Sequence, residues 1–251
     1  MDAYRTDESR ARLLPEGSGP LDDLALTLPV FLGYHLGVIF LPVRNAADLV
    51  THRLVAFSEH SVLGYAALTI MIGLGYAGAL LVLGREQQLR GERFAFVLLE
   101  GIVYAVSMRL LAGYVVGRLS LAAVGPEVTW FSGLVTSLGA GFYEELAFRV
   151  LLFGLGVRLV RHVFGARRGL AALAVTLGWA VVAALVFSAW HYVGEFADAF
   201  EPRSFVFRWV CGVVFTVIYV LRGFAAAVWT HALYDVWVLV LPALGGASSV
   251  E

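Results

Sequence analysis

From residue 24 to residue 242, the chain alternates between long apolar runs and short polar connections. Most runs are close to the roughly 20 residues that a helix needs to cross the hydrocarbon core of a bilayer. The runs are 24–43, 62–83, 94–116, about 128–157, 170–191, 205–221 and 223–242. The fourth is too long for one simple span, so it is either tilted or divided into a short re-entrant piece and a helix. The pattern predicts an all-α, polytopic membrane helix bundle with seven to eight transmembrane helices.

Polar segments flank the apolar runs at both ends. Residues 1–23 mix acidic residues, arginine, glycine and proline, which predicts a polar amino-terminal tail. This segment lacks the basic start and short apolar stretch that are typical of a cleavable signal peptide. Residues 246–251 predict a short carboxy-terminal tail. We therefore expect a single integral-membrane domain over residues 24–245.

The composition agrees with a membrane protein and excludes other classes. Hydrophobic residues make up 60% and charged residues 15% of the chain, and the mean hydropathy is +0.81. A soluble domain carries about a quarter charged residues. A net charge of -1 does not favour a nucleic-acid partner, which would require a clustered basic face. The single cysteine, Cys211, excludes an intrachain disulfide.

The distribution of arginine predicts the orientation in the membrane. Arginines collect between the second and third runs and between the fourth and fifth. They are Arg85, Arg90 and Arg93, and Arg158, Arg161, Arg167 and Arg168. Both loops face the cytoplasm if the amino terminus is cytoplasmic, and the acidic loop 192–204 then lies outside. All 18 basic residues are arginine, which is typical of a GC-rich bacterial genome, so we expect a multi-pass protein of the bacterial inner (cytoplasmic) membrane.

Ionisable side chains interrupt three of the apolar runs. Such groups cost a few kcal/mol or more in hydrocarbon, so they normally face an internal polar cavity. The three stretches are FYEELAFR (142–149), FSAWH (187–191) and HALYD (231–235). Together they place two glutamates, an arginine, two histidines and an aspartate on three separate spans. The pattern predicts a catalytic centre inside the membrane.

The first stretch offers two carboxylates with different surroundings. Residues four apart share a helical face, so Glu145 and Arg149 are placed to form an ion pair. Adjacent residues point about 100° apart, which directs Glu144 to another face. Glu144 then suits a general base. The alternative is that both glutamates pair with arginines to hold the bundle together, but that would not explain the histidines.

The other two stretches each carry a histidine in a four-residue spacing. Phe187 and His191 share a face near the end of their run, where a histidine is also typical of a membrane interface. His231 and Asp235 lie deep inside the last run. A buried pair of this kind is costly unless it has a function. The second pair is therefore the stronger indication of chemistry.

The three stretches together resemble the CPBP family of glutamic intramembrane proteases, which includes the Ras-converting CAAX prenyl endopeptidases and many bacterial members. The family pattern is EExxxR, then FxxxH, then HxxxN or HxxxD, on separate membrane helices. The matching residues are Glu144, Glu145 and Arg149, then Phe187 and His191, then His231 and Asp235. The resemblance covers about residues 128–242, the motif-bearing half of the predicted protease domain.

The resemblance implies a role for each catalytic residue. Glu144 and His191 would bind and deprotonate a water that attacks the scissile carbonyl. His231 and the residue at 235 would stabilise the oxyanion. An ionised aspartate cannot donate a hydrogen bond, so Asp235 is either protonated or orients His231, as carboxylates orient imidazoles elsewhere. We favour the orienting role.

The resemblance also implies that Glu145 and Arg149, with Phe187, support the site. No cofactor is expected. A metal centre is the alternative interpretation of a glutamate with two histidines, but no HExxH occurs in the chain. The short-spaced pair of His191 and Glu195 would need further ligands from distant helices. Activation of water by Glu and His requires no ion, so a metal is not favoured.

The predicted depths indicate a cavity that opens outward. At about 1.5 Å per residue, Glu144 lies near the middle of the membrane and His191 near its outer boundary. This argues against cytosolic prenylated tails as substrates. We expect an endopeptidase that cleaves a membrane-anchored protein, as in bacterial sorting-type members that remove carboxy-terminal anchors. The alternatives are a non-catalytic scaffold, a bacteriocin-immunity protein or a proton-relay transporter, and the sequence leaves the oligomeric state open.

Overall fold

The computed structural model describes residues 20–41, 61–83, 91–116, 129–194 and 197–244. Several sequence-based predictions lie outside these residues. They concern most of the amino-terminal tail, Arg85 and Arg90, Glu195, and the carboxy-terminal tail 246–251.

The described residues form seven helices and no strand. Three helices precede the motifs: α1 is Pro20–Phe40, α2 is Val62–Leu83 and α3 is Gly91–Val116. Helix α4 runs without a break through Trp130–Gly139, Ala140–Glu144, Leu146–Leu155 and Gly156–Val163. Helix α5 is Gly169–Trp190 and α6 is Pro202–Arg222. Helix α7 comprises Phe224–Asp235, Val236–Val240 and Leu241–Leu244.

Six of the helices are long and apolar enough to cross a membrane. They are α1, α2, α3, α5, α6 and α7. The remaining helix, α4, corresponds to the long fourth run, and no break divides it between residues 130 and 163. The prediction of an all-α, polytopic helix bundle is confirmed, and α4 is a single helix rather than a re-entrant piece followed by a helix.

The last helix lies at the centre of the bundle. Helix α7 packs against α1, α3, α4 and α6, and half of its span is buried, compared with 17% for α3. Four consecutive small or β-branched residues, Ala225 to Val228, are almost completely buried. Small side chains let membrane helices approach closely. The helix that carries HALYD therefore packs directly against α4, which carries FYEELAFR, while α5, which carries FSAWH, packs against α4 and α6.

The first helix caps the last one. Gly223 directly precedes α7 with φ of 93°, a backbone conformation that favours glycine, and provides no side-chain cap. The carboxylate of Asp23 in α1 instead accepts hydrogen bonds from the backbone N–H groups of Phe224 at 3.0 Å and Ala225 at 3.2 Å. A carboxylate at a helix amino terminus satisfies unpaired donors and interacts favourably with the helix dipole. Helix α1 begins at Pro20, so the last residues of the predicted polar tail are helical.

Replacing Asp23 tests this cap. Asp23→Ala removes the acceptor from two backbone N–H groups, and we expect the free energy of unfolding to fall by about 1 kcal/mol. Asp23→Asn keeps an acceptor oxygen and should retain most of the stability. Unfolding in detergent micelles, followed by circular dichroism, measures both. Equal losses in the two variants would contradict the capping role.

Candidate active site

Two adjacent glutamates lie in a widened, π-helical part of α4. Glu144 ends one π-helical stretch, and the next begins at Leu146. Turns of this kind hold more than four residues, so adjacent side chains diverge by less than in an α-helix, and they are frequent at functional sites. The α-helical spacing directs Glu144 and Glu145 to different faces. In the structure both carboxylates approach the ring of His231, as the smaller angle of the wider turns favours.

Glu145 joins α4 to α7 at the centre of the bundle. Its Oε1 atom lies 3.0 Å from Nη1 of Arg149 and 2.7 Å from Nδ1 of His231. The predicted ion pair with Arg149 is therefore confirmed, and the same oxygen accepts a hydrogen bond from His231. All three side chains are buried. Removing one partner of a buried ion pair leaves an uncompensated charge, so these residues form one structural unit.

Two aromatic rings enclose the guanidinium group of Arg149. Its Cζ atom lies 4.2 Å from the ring centroid of Phe187 and 4.9 Å from that of Phe215. Cations are attracted to the faces of aromatic rings. The ring of Phe215 also stacks on His231, with 4.4 Å between centroids. Nothing in the sequence marks Phe215 for this role, because a phenylalanine in an apolar run indicates only packing.

His191 lies at the edge of the site. It follows the span Gly169–Trp190, and its Nδ1 atom lies 3.0 Å from the carbonyl oxygen of Phe187. When Nδ1–H donates to that carbonyl, Nε2 becomes the acceptor. Nε2 lies 3.8 Å from Oε2 of Glu144. Burial lowers the pKa of His191, while the Glu144 carboxylate acts in the opposite direction, and a lowered pKa favours the neutral ring that can accept a proton.

Asp235 approaches His231 from the other side. Its Oδ2 atom lies 3.6 Å from Nε2 of His231, whereas Glu145 is hydrogen-bonded to Nδ1 at 2.7 Å. The hydrogen bond that orients the ring in this structure therefore comes from Glu145, and the contact expected from Asp235 is the longer one. The sequence does not indicate that Glu145, one of two adjacent glutamates in α4, makes a hydrogen bond to His231 in α7.

Three polar contacts among Glu144, His191, His231 and Asp235 share a spacing slightly longer than a direct hydrogen bond. Oε2 of Glu144 lies 3.8 Å from Nε2 of His191 and 3.9 Å from Nε2 of His231. Asp235 lies 3.6 Å from the same nitrogen of His231. Polar groups at this spacing are suited to bridging by a water molecule. The structure brings together all four predicted catalytic residues.

Arg208, a charged residue inside the apolar run 205–221, joins the loop after His191 to α6. Arg208 forms an ion pair with Asp198, and its guanidinium group lies 5.2 Å from the ring centroid of Tyr192. The backbone N–H of Asp198 donates to the carbonyl of His191 at 2.9 Å. In the sequence, the only indication of these contacts is the position of a charged arginine within an otherwise apolar run.

A glycine permits the close approach of α4 and α7. A Cβ atom at Gly141 would lie 2.7 Å from Cβ of Ala232 and 2.9 Å from the carbonyl oxygen of Val228. Neither contact can be relieved by rotating a flexible side chain. Only glycine at this position lets the glutamates of α4 reach His231.

The described part of the chain contains no group of three or more His, Cys, Asp or Glu side chains in an arrangement that could hold a metal ion. The short-spaced pair considered from the sequence includes Glu195, which lies outside the described residues. Four ionisable groups surround His191 and His231 and are instead arranged in ion pairs and longer polar contacts; they are Glu144, Glu145, Arg149 and Asp235.

Adding one methyl group at Gly141 tests this packing. Gly141→Ala should destabilise the protein by about 1–3 kcal/mol, because the methyl group overpacks the contact with α7. Gly178→Ala is the matched control, since a Cβ there meets nothing within 4 Å and alanine favours a helix. Thermal unfolding in detergent compares the two. A Gly141→Ala protein as stable as the control would contradict the close approach.

Comparison with known proteins identifies a family for the part of the chain that carries the motifs. Residues 126–237 match the family model described as type II CAAX prenyl endopeptidase Rce1-like. The matched segment is just under half of the chain and contains all three motifs. The chain matches none of the curated proteins and none of the solved structures with which it was compared. The family points to a peptidase, and the resemblance to CPBP-type proteases is confirmed over this segment: residues 126–237 of this multi-pass membrane protein match the Rce1-like family model.

Proposed function

We propose that the protein is an intramembrane endopeptidase in which Glu144 and His191 activate a water molecule. One observation carries the proposal: a single oxygen of Glu144 faces Nε2 of two histidines, at 3.8 Å from His191 and 3.9 Å from His231. A carboxylate between two imidazoles can accept a proton on one side and face a hydrogen-bond donor on the other. Glu145 supports this division of roles because it already pairs with Arg149.

The proposed reaction begins with a water between Glu144 and His191. Glu144 removes a proton as the water oxygen attacks the carbonyl carbon of the peptide bond. The neutral Nε2 atom of His191 accepts a hydrogen bond from the same water. The proton then passes to the leaving amine as the tetrahedral intermediate collapses, so Glu144 returns to its starting state.

His231 is the proposed donor to the oxyanion. Its Nδ1–H donates to Glu145, so donation from Nε2 requires the doubly protonated ring, in which both nitrogens carry hydrogen. A donor that is already oriented stabilises the charge that develops in the transition state. Asp235, at 3.6 Å from Nε2, would hold this face of the ring from the side of α7. Phe215 would fix the ring plane by stacking.

The proposed substrate is a membrane-anchored protein cleaved close to the membrane surface. His191 is more exposed than the second histidine of the site, with 24% of its side chain accessible compared with 6% for His231. Substrate would therefore enter from the side where α5 ends. With a cytoplasmic amino terminus, this is the outer side of a bacterial cytoplasmic membrane. The site would then serve removal of a carboxy-terminal anchor, as in sorting-type proteases.

No metal ion is needed in this proposal, because a carboxylate and a neutral imidazole are sufficient to activate water. The oligomeric state does not enter the reaction, since α4, α5 and α7 of one chain provide all four proposed catalytic residues.

Substitution of the base tests the proposed reaction. Glu144→Gln keeps the size of the side chain but removes the proton acceptor, and His191→Ala removes its partner. We expect each to lower cleavage by at least about 10²-fold. The measurement compares the membrane proteomes of a deletion strain that carries the wild-type gene or a variant, and identifies proteins that retain an anchor normally lost.

The exposed Glu92 in the first turn of α3 provides the matched control, and Glu92→Gln should process normally. Cleavage by purified wild-type protein should also survive treatment with a chelator. Normal processing by Glu144→Gln protein would exclude this protease mechanism, and loss of activity with the chelator would replace water activation by Glu and His with a metal centre.

Cysteine labelling tests the proposed orientation. Cys211 is buried, so Cys211→Ser provides a background without a native thiol. In intact cells, a membrane-impermeant thiol reagent should label Ala199→Cys, which lies in the exposed loop between α5 and α6. It should not label His162→Cys. His162 is also exposed, but it lies in the last turn of α4, next to the connection that precedes α5. The reverse pattern would place the site on the cytoplasmic side.

A further inference from the structure

A histidine outside the three motifs is completely buried between α1, α2 and α4. His35 has no accessible surface. Its Nδ1 atom lies 2.9 Å from the hydroxyl oxygen of Tyr65, and its Nε2 atom lies 2.6 Å from that of Tyr143. Both tyrosines are also buried. One residue from each of three helices therefore forms a continuous Tyr65–His35–Tyr143 chain, and the proposed reaction does not use it.

The hydrogen bonds make the three side chains of this Tyr65–His35–Tyr143 chain depend on one another. A neutral imidazole has one N–H donor and one acceptor nitrogen. One tyrosine must therefore donate to the ring while the other accepts from it. Buried polar groups are costly when unpaired, so the loss of either hydroxyl leaves a nitrogen of His35 without this partner. The chain consequently resists rotation of any one member.

This hydrogen-bonded chain ends at Tyr143, the residue directly before the proposed base, Glu144. Tyr143 precedes Glu144 in the π-helical stretch Ala140–Glu144. This stretch is packed on two sides, since Gly141 lies against α7 while Gly139, the residue directly before the stretch, lies against the ring of Tyr34 in α1. π-helical turns are rarer than α-helical ones, and their shape must be maintained by contacts with neighbouring helices. Tyr143 provides such a contact through a directional hydrogen bond.

We propose that Tyr143, His35 and Tyr65 are positioning residues for Glu144. The chain holds the π-helical stretch at the rotation that directs Oε2 of Glu144 towards His191 and His231. This inference rests on the proposed function. It assigns to α1 and α2, which lie outside the matched segment 126–237, a direct part in preparing the site.

Conservative substitutions separate positioning from packing. Tyr143→Phe and Tyr65→Phe each keep the ring and remove one hydroxyl. We expect kcat to fall about tenfold, because small displacements of a catalytic group have large effects on rate, while KM stays within about twofold. His35→Leu should lower kcat by at least as much. His35→Gln, whose amide both donates and accepts, should recover part of the loss.

Tyr76→Phe is the matched control. The Tyr76 hydroxyl donates to the carbonyl of Leu24 at 2.7 Å, so it also joins α2 to α1, but it is not part of the chain to Glu144. This variant should keep the wild-type kcat. The assay uses the anchored protein that accumulates in the deletion strain, reconstituted with the full-length enzyme in lipid vesicles.

A second measurement does not depend on activity. Hydrogen–deuterium exchange of the detergent-solubilised, full-length protein follows the backbone amides of residues 140–150. We expect exchange there to become severalfold faster in Tyr143→Phe and His35→Leu and to stay unchanged in Tyr76→Phe.

The outcomes separate this inference from the proposed function. Wild-type exchange and kcat in Tyr143→Phe would overturn the positioning role, and so would equal losses in Tyr76→Phe, which would indicate general packing of α1 and α2. If the wild-type protein cleaves nothing, the proposed function fails, and the exchange measurement alone decides whether the chain holds the π-helical stretch.

Discussion

The site depends on the neutralisation of charge at the centre of an apolar bundle. One oxygen of Glu145 is shared between Arg149 on its own helix and His231 on α7. Isolated charges in hydrocarbon are strongly disfavoured, and a buried pair repays its desolvation only when geometry is good and further contacts are made. The rings of Phe187 and Phe215 provide these further contacts for the guanidinium group. The arrangement connects α4, α5, α6 and α7 through one cluster.

This cluster explains why two adjacent glutamates are useful. Glu145 balances the arginine and orients the imidazole, so Glu144 can face Nε2 of both histidines. The π-helical turns make the division possible by bringing both carboxylates to one region. Gly141 contributes the necessary proximity by removing a side chain between α4 and α7. Local backbone shape, charge and close packing therefore act on the same few atoms.

The sequence was most informative where local spacing decides the structure. The seven apolar runs correspond to seven helices, and the four-residue spacing of Glu145 and Arg149 gave their ion pair. It was least informative where distant segments meet. The hydrogen bond from His231 to Glu145, the stacking of Phe215 and the burial of His35 all join residues far apart in the chain. The π-helical turns also escaped prediction, because apolar periodicity over a few residues does not distinguish them from α-helical turns.

The cap that Asp23 provides for α7 links the beginning of the bundle to its end. During synthesis, the first helix enters the membrane long before the last one leaves the ribosome. The amino end of α7 has no side-chain cap of its own, so its first backbone N–H groups can be capped only after α1 is in place beside it. Maturation of the His231 site is thereby coupled to the order of membrane insertion, and a chain whose first helix was inserted wrongly would carry all three motifs without assembling them.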